Sequence, residues 1–248
     1  IVAGMVAGAD SIDDLDVIRH GGMDKLFGGT YAPSSLGSHL RAFDQGNVAQ
    51  LEKAARQLLV ALAAHTPLLP DVGSVCYVDI DDFRRRVYGH KKQGAKFGPV
   101  KVGGYLAKLR NLDPLIASIS TPTAAPVVAA TRLRGGNAAS GRGADSFVRE
   151  VLGVTRQVIN AAARPVGAGC GQPGEPKPGL VLVRLDSGFY NHKAVNAVIE
   201  QGACFSVTAR TDTAIQATIA GIGDNPEAWT PIKYPQAIWE RVQDFLCK

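Results

Sequence analysis

Val75-Cys76-Tyr77-Val78-Asp79-Ile80-Asp81-Asp82 decides the reading of this chain, together with a second run, Val181-Leu182-Val183-Arg184-Leu185-Asp186-Ser187. Both are strand-forming apolar runs that deliver a carboxylate at or near their end. An acid inside or just after an apolar strand loses water and needs a compensating partner. Two such acids brought together can hold a hard divalent cation. Side chains alternate along a strand, so Val75, Tyr77, Asp79 and Asp81 share one face, and Cys76, Val78, Ile80 and Asp82 the other. Asp79 and Asp81 can therefore look the same way, while Asp82 cannot join them without a bulge. Asp186 falls at the carboxyl end of its strand, where α/β folds usually build sites. A local role competes for it, because an Asp before Ser-Gly often caps a turn.

Between the two runs lies a block of positive charge. From Phe83 to Leu112 there are nine basic residues (Arg84, Arg85, Arg86, Lys91, Lys92, Lys96, Lys101, Lys108 and Arg110) and no acid. Arg132, Arg134 and Arg142 follow, against the single acid Asp113. The window holds 12 of the 27 basic residues, so the rest of the chain is net negative despite an overall charge of +5. Such asymmetry fits one face that meets a polyanion, and a solvated basic surface is the competing reading. Magnesium, or manganese in its place, suits the pair of acids. It takes oxygen ligands, keeps waters, and binds one or two carboxylates plus substrate phosphates.

Other chemistry is poorly represented. Gly103-Gly104 and Gly141-Arg142-Gly143 lack the Lys-Ser/Thr of a phosphate-binding loop, and no G-x-S-x-G occurs. Ser187 and His192 would share one short turn and helix with no orienting acid. Cys76, Cys170, Cys204 and Cys247 have no zinc-like spacing and read as reduced thiols of a cytoplasmic protein. No apolar run approaches the roughly 20 residues that span a bilayer, and no secretion signal is visible. The chain opens on Ile1 and is expected to be a fragment.

With 248 residues and 46% hydrophobic content, a large core is expected. Residues 1–70 read as a small helical region. Its longest helix begins near Asn47 and repeats apolar residues at Val48, Leu51, Ala55, Leu58, Leu59 and Leu62 until Pro67. From Val75 the texture turns to strands, with weaker candidates over 100–109 and 115–120 and another over 126–133. A helix carries Phe147, Val148, Val151, Leu152, Val158 and Ile159 on one face. The Pro- and Gly-rich stretch 164–179 reads as a surface connection. Strand 180–185, helix 191–201, strand 203–209 and helix 213–220 complete an α/β layout.

Six segments taken in order resemble bacterial insertion-sequence transposases of the DDE type, nearest the thirteen-eighty group. They are Tyr77-Val78-Asp79-Ile80-Asp81-Asp82-Phe83, the run from Val87 through Tyr88-Gly89-His90-Lys91-Lys92 to Ala95, Ser120-Thr121-Pro122, Ala130-Thr131-Arg132-Leu133-Arg134-Gly135-Gly136, Arg184-Leu185-Asp186-Ser187-Gly188-Phe189-Tyr190, and Phe205-Ser206-Val207-Thr208-Ala209-Arg210. The resemblance spans roughly residues 5–239. It implies an RNase H-like mixed sheet flanked by helices over 71–248, preceded by the partial helical region 1–70. It implies Asp81 as the first catalytic acid, with Asp79 the fallback, and Asp186 as the second, the two binding Mg²⁺ or Mn²⁺. Phe83 stands where the family usually has Thr. No third acid is carried over, because Glu227 and Glu240 come too early. The implied reaction is metal-dependent cleavage and strand transfer on double-stranded DNA, at element ends and target, by a nucleoid-associated homo-oligomer. Arg84, Arg85, Arg86, Lys91, Lys92, Lys96, Arg132 and Arg134 are the expected DNA contacts. The alternatives are a non-catalytic DNA-binding or inhibitory remnant and a structure-specific nuclease on the same fold.

Overall fold

A computed structural model describes residues 1–89, 92–163, 179–209 and 211–222. Two units divide the chain, Ile1–Val207 and Thr208–Lys248. In the second, the described residues form one helix, Thr213–Ile222, begun by Asp212, whose carboxylate accepts the Ile215 N–H at 2.9 Å.

The first unit is a mixed α/β structure built on two sheets. Its strands are β1 (Val75–Asp82), β2 (Arg85–Arg86), β3 (Lys96–Val102), β4 (Tyr105–Leu112), β5 (Leu115–Thr121), β6 (Ala124–Arg132), β7 (Leu180–Leu185) and β8 (Cys204–Val207). Its α-helices are α1 (Val2–Val6), α2 (Met23–Phe27), α3 (Pro33–Arg41), α4 (Gln45–His65), α5 (Ala144–Ala162) and α6 (His192–Glu200). The main sheet has five strands in the order β6-β5-β1-β7-β8. β5 runs antiparallel to both β1 and β6, whereas β7 is parallel to β1 and β8 to β7. The expected mixed sheet flanked by helices is therefore present.

Alternation along β1 works as its sequence requires. Cys76, Val78 and Ile80 are buried, with Leu115, Ala117 and Ile119 of β5 and Val183 and Leu185 of β7. Helix α5 lays Phe147, Val148, Val151 and Val158 on this face, all completely buried. Its one buried hydroxyl, on Thr155, donates to the Val151 carbonyl, so the stripe carries no unsatisfied side-chain oxygen there.

Helix α4 belongs to the same core. Leu59 and Ala63 join the cluster formed by α5 and the sheet, so one continuous core extends across the boundary expected at residue 70. Its start is a capping box: the Asp44 carboxylate accepts the Asn47 N–H at 2.9 Å, and the Asn47 side chain accepts from the Asp44 N–H. Asn47 is thus the third residue of the helix, which starts at Gln45.

The second sheet, in the order β2-β4-β3, corrects the weak strand expected over 100–109. Gly103 and Gly104, inside that expected strand, are a two-residue hairpin turn, with φ of +55° and +87° and Val102 paired to Tyr105. One face of this hairpin lies against the 135–137 loop. A Cβ at Gly98 would come within 1.8 Å of the Gly136 carbonyl oxygen, so the strand needs glycine there. Gly98→Ala should cost about 1–3 kcal/mol, read as a lowered urea midpoint. An unchanged midpoint would show that the hairpin does not pack this closely.

Candidate active site

Register brings the two predicted acids together. β1 and β7 are parallel and pair Tyr77 with Leu182, Asp79 with Arg184 and Ile80 with Leu185. Asp81 and Asp186 are the next residues of the two strands, so they leave neighbouring strands side by side at the same carboxyl end. Both fall on the face opposite the buried core. Both residues are exposed.

The carboxyl of Asp81 is held above the usual aspartate range. Partial loss of water among the crowded strand ends is the larger cause, and repulsion from Asp186 and Asp82 adds to it. The Asp82 N–H, which donates to Asp81 Oδ1 at 2.8 Å, works in the opposite direction. Asp186 Oδ1 accepts the Gly188 N–H at 2.9 Å and so caps the short 3₁₀ turn Ser187–Phe189. Gly188 is needed for this approach: a Cβ there would lie 2.9 Å from Ser140 and 3.1 Å from Asp186 Oδ1. Each acid thus spends one oxygen on a backbone amide that fixes its orientation. Among the described residues neither forms an ion pair.

Neighbouring acids behave differently. Asp79, the fallback, is gripped by Arg184 through two bonds, Nε to Oδ1 at 2.5 Å and Nη2 to Oδ2 at 2.6 Å, while the guanidinium also lies 4.7 Å from the Tyr77 ring. Asp79 is occupied, and Asp81 is the acid left to face Asp186. Asp82 points to the other side, 3.6 Å from Arg134. Among the described residues no group of three or more Asp, Glu, His or Cys side chains converges. Glu227 and Glu240 lie outside the described residues.

The basic residues divide into two sets. Arg134 is structural: its side chain is 9% exposed. It pairs with fully buried Asp113 at 3.2 Å and donates to the carbonyls of Asp113, Ala139, Ser140 and Arg142. Arg84 also reaches Asp113, at 3.6 Å. Arg132 pairs with Glu150 and donates to Ser146 and the Gly143 carbonyl, which ties β6 to the start of α5. Arg56 meets the same Glu150 from α4. These guanidinium groups are spent inside the protein. Arg85, Arg86, Lys92 and Lys96 are exposed, and Lys91 lies outside the described residues.

Two structural features escaped the sequence. Arg184, a single cation within an apolar strand, signals an acid on the neighbouring strand. Asp113 reads as a turn residue before Pro114 yet is completely buried. Comparison with protein-family models, curated proteins and solved structures finds no match.

Burial pushes Asp113 up and Arg134 down, each against the pull of its partner, so loss of water outweighs the pairing. Arg134→Met removes the counter-charge and should cost about 3–5 kcal/mol at neutral pH. A carboxyl with a raised native pKa favours folding below its unfolded value and loses that contribution as pH rises through its native one. The deficit should therefore shrink on acidification, when Asp113 is protonated. Urea titrations at neutral and acid pH test this, and a deficit that grew on acidification would contradict it.

Proposed function

We propose that this chain carries a DDE-type transposase site on an RNase H-like fold, with double-stranded DNA as substrate and Mg²⁺ or Mn²⁺ as cofactor. The observation that carries the reading is the parallel register of β1 and β7. It sets Asp81 beside Asp186 while every other described acid of the central strands is matched to an arginine. Two neighbouring carboxylates, each with a second oxygen that no described residue engages, fit a hard oxygen-seeking dication. Such an ion would supply activation of the attacking oxygen and stabilisation of the leaving one in phosphoryl displacement.

The chain's own residues set up that chemistry. Asp81 and Asp186 hold negative charge at the carboxyl ends of two adjacent central strands, oriented by the Asp82 and Gly188 amides. Arg184 keeps Asp79 out of the competition. The exposed cations after β1 supply phosphate contacts beside the acids. Transposition requires cleavage and then joining of a 3′-hydroxyl to target DNA, which the resemblance supplies and the two acids alone do not.

A second reading has its own support. The Asp186–Gly188 bond is a complete local cap, so a DNA-binding remnant would keep Asp186 for structure alone. Incubation with supercoiled plasmid separates the two. The first reading predicts nicking that requires Mn²⁺ or Mg²⁺, falls to background in Asp81→Asn and Asp186→Asn, and survives in Asp79→Asn. DNA binding without nicking, unchanged by all three substitutions, would select the second.

Asp186→Asn should also lower the Asp81 pKa by removing like-charge repulsion while leaving the larger effect of burial. Carboxyl-carbon NMR titration reads this directly, and an unmoved Asp81 would mean that the two groups do not interact.

A further inference from the structure

We propose that the exposed face of the β2-β4-β3 hairpin is an arm that docks on duplex DNA; this rests on the DNA reading above and assigns the surface that holds the substrate. Residues opposite one another in an antiparallel pair share a face. The register pairs Phe97 with Arg110, Pro99 with Lys108 and Lys101 with Leu106, and β2 adds Arg85 opposite Leu112. The other face is the one packed on the 135–137 loop, with Gly98, Val100 and Asn111 buried. The outward face therefore carries Arg85, Lys101 and Lys108, all exposed, around Phe97 and Leu106, which are 59% and 70% exposed.

Charge complementarity selects the occupant. No acid occurs anywhere between Phe83 and Leu112, so the hairpin's own strands place no negative charge on this face to repel a phosphate backbone. A two-stranded ribbon matches the major groove of B-DNA, about 12 Å wide. In that position Arg85, Lys101 and Lys108 meet phosphates, and Phe97 and Leu106 meet sugar and base edges.

Connectivity supplies the link to the acids. Asp82 pairs with Leu115 at the end of the main sheet, the Phe83 N–H donates to the Pro114 carbonyl, and Arg85 then pairs with Leu112. The arm thus continues the β1–β5 pair past the carboxyl end where Asp81 lies. Seven residues of β3, at about 3.4 Å each, extend it by about 24 Å. Duplex held along it leads to the acids.

The test uses the full chain and a random-sequence 20-base-pair duplex, with binding followed by fluorescence anisotropy over a range of salt. Arg85→Gln/Lys101→Gln/Lys108→Gln should weaken binding at least about tenfold and reduce the salt slope by about 2–3. A control of equal charge, Lys25→Gln/Lys53→Gln/Lys193→Gln, should keep most of the affinity. Lys101→Arg/Lys108→Arg, which keeps the charge, should bind like the parent. Asp81→Asn/Asp186→Asn should also bind like the parent, so loss of nicking with retained binding separates the arm from the catalytic reading. The proposal is overturned if the triple variant, folded to an unchanged thermal midpoint, binds duplex as tightly as the parent with the same salt slope. Preference for a single-stranded oligonucleotide of the same length would also overturn it.

Discussion

Parallel pairing of β1 with β7, in the register that sets Ile80 against Leu185, places two like charges at adjacent strand ends. Folding would avoid this if a basic residue stood nearby, and the chain has many. Instead the guanidinium of Arg184, one pair further back, is committed to Asp79. The buried partners of the register explain why it cannot slip. Val78 and Ile80 on β1, with Val183 and Leu185 on β7, lie against the core beneath α5. A shift by one residue would turn those side chains outward and carry acids into the apolar layer. Hydrophobic burial on one face thus enforces electrostatic crowding on the other.

Charge elsewhere in the unit is sorted by use. Asp113, Arg134, Arg84 and Asp82 form a cluster at the junction of the two sheets. Glu150, Arg132 and Arg56 join β6, α5 and α4. Both clusters sit where the main sheet meets other elements, and both consume arginines that the sequence alone assigns to a nucleic-acid surface. The hairpin, by contrast, carries cations and no acid in its own strands. An acid pair at the carboxyl ends of β1 and β7 and a basic hairpin leaving the same end are the two features on which the proposed phosphate chemistry rests.

Much of this was legible in the residues. The apolar runs ending in Asp81 and Asp186 marked both central strands, and the stripe from Phe147 to Ile159 marked α5, because burial on one face imposes its period on the sequence. The choice between Asp79 and Asp81 was not legible from alternation, which puts both on one face. It turns on which residue of β7 stands opposite, and that is set by packing across more than a hundred residues of chain. The hairpin was hidden for a different reason. Its strands lean on backbone contacts at Gly98 and Gly136 rather than on large apolar side chains, so they leave little periodic signal. Gly103-Gly104 therefore fell inside one expected strand, 100–109, instead of marking the turn between two.

Diffraction from crystals grown or soaked with Mn²⁺, recorded for its anomalous signal, tests the central claim most directly. The expected result is one strong peak bonded to an oxygen of Asp81 and an oxygen of Asp186, with Asp79 still held by Arg184. A map with no manganese between residues 81 and 186, or with these two carboxylates turned apart, would contradict it.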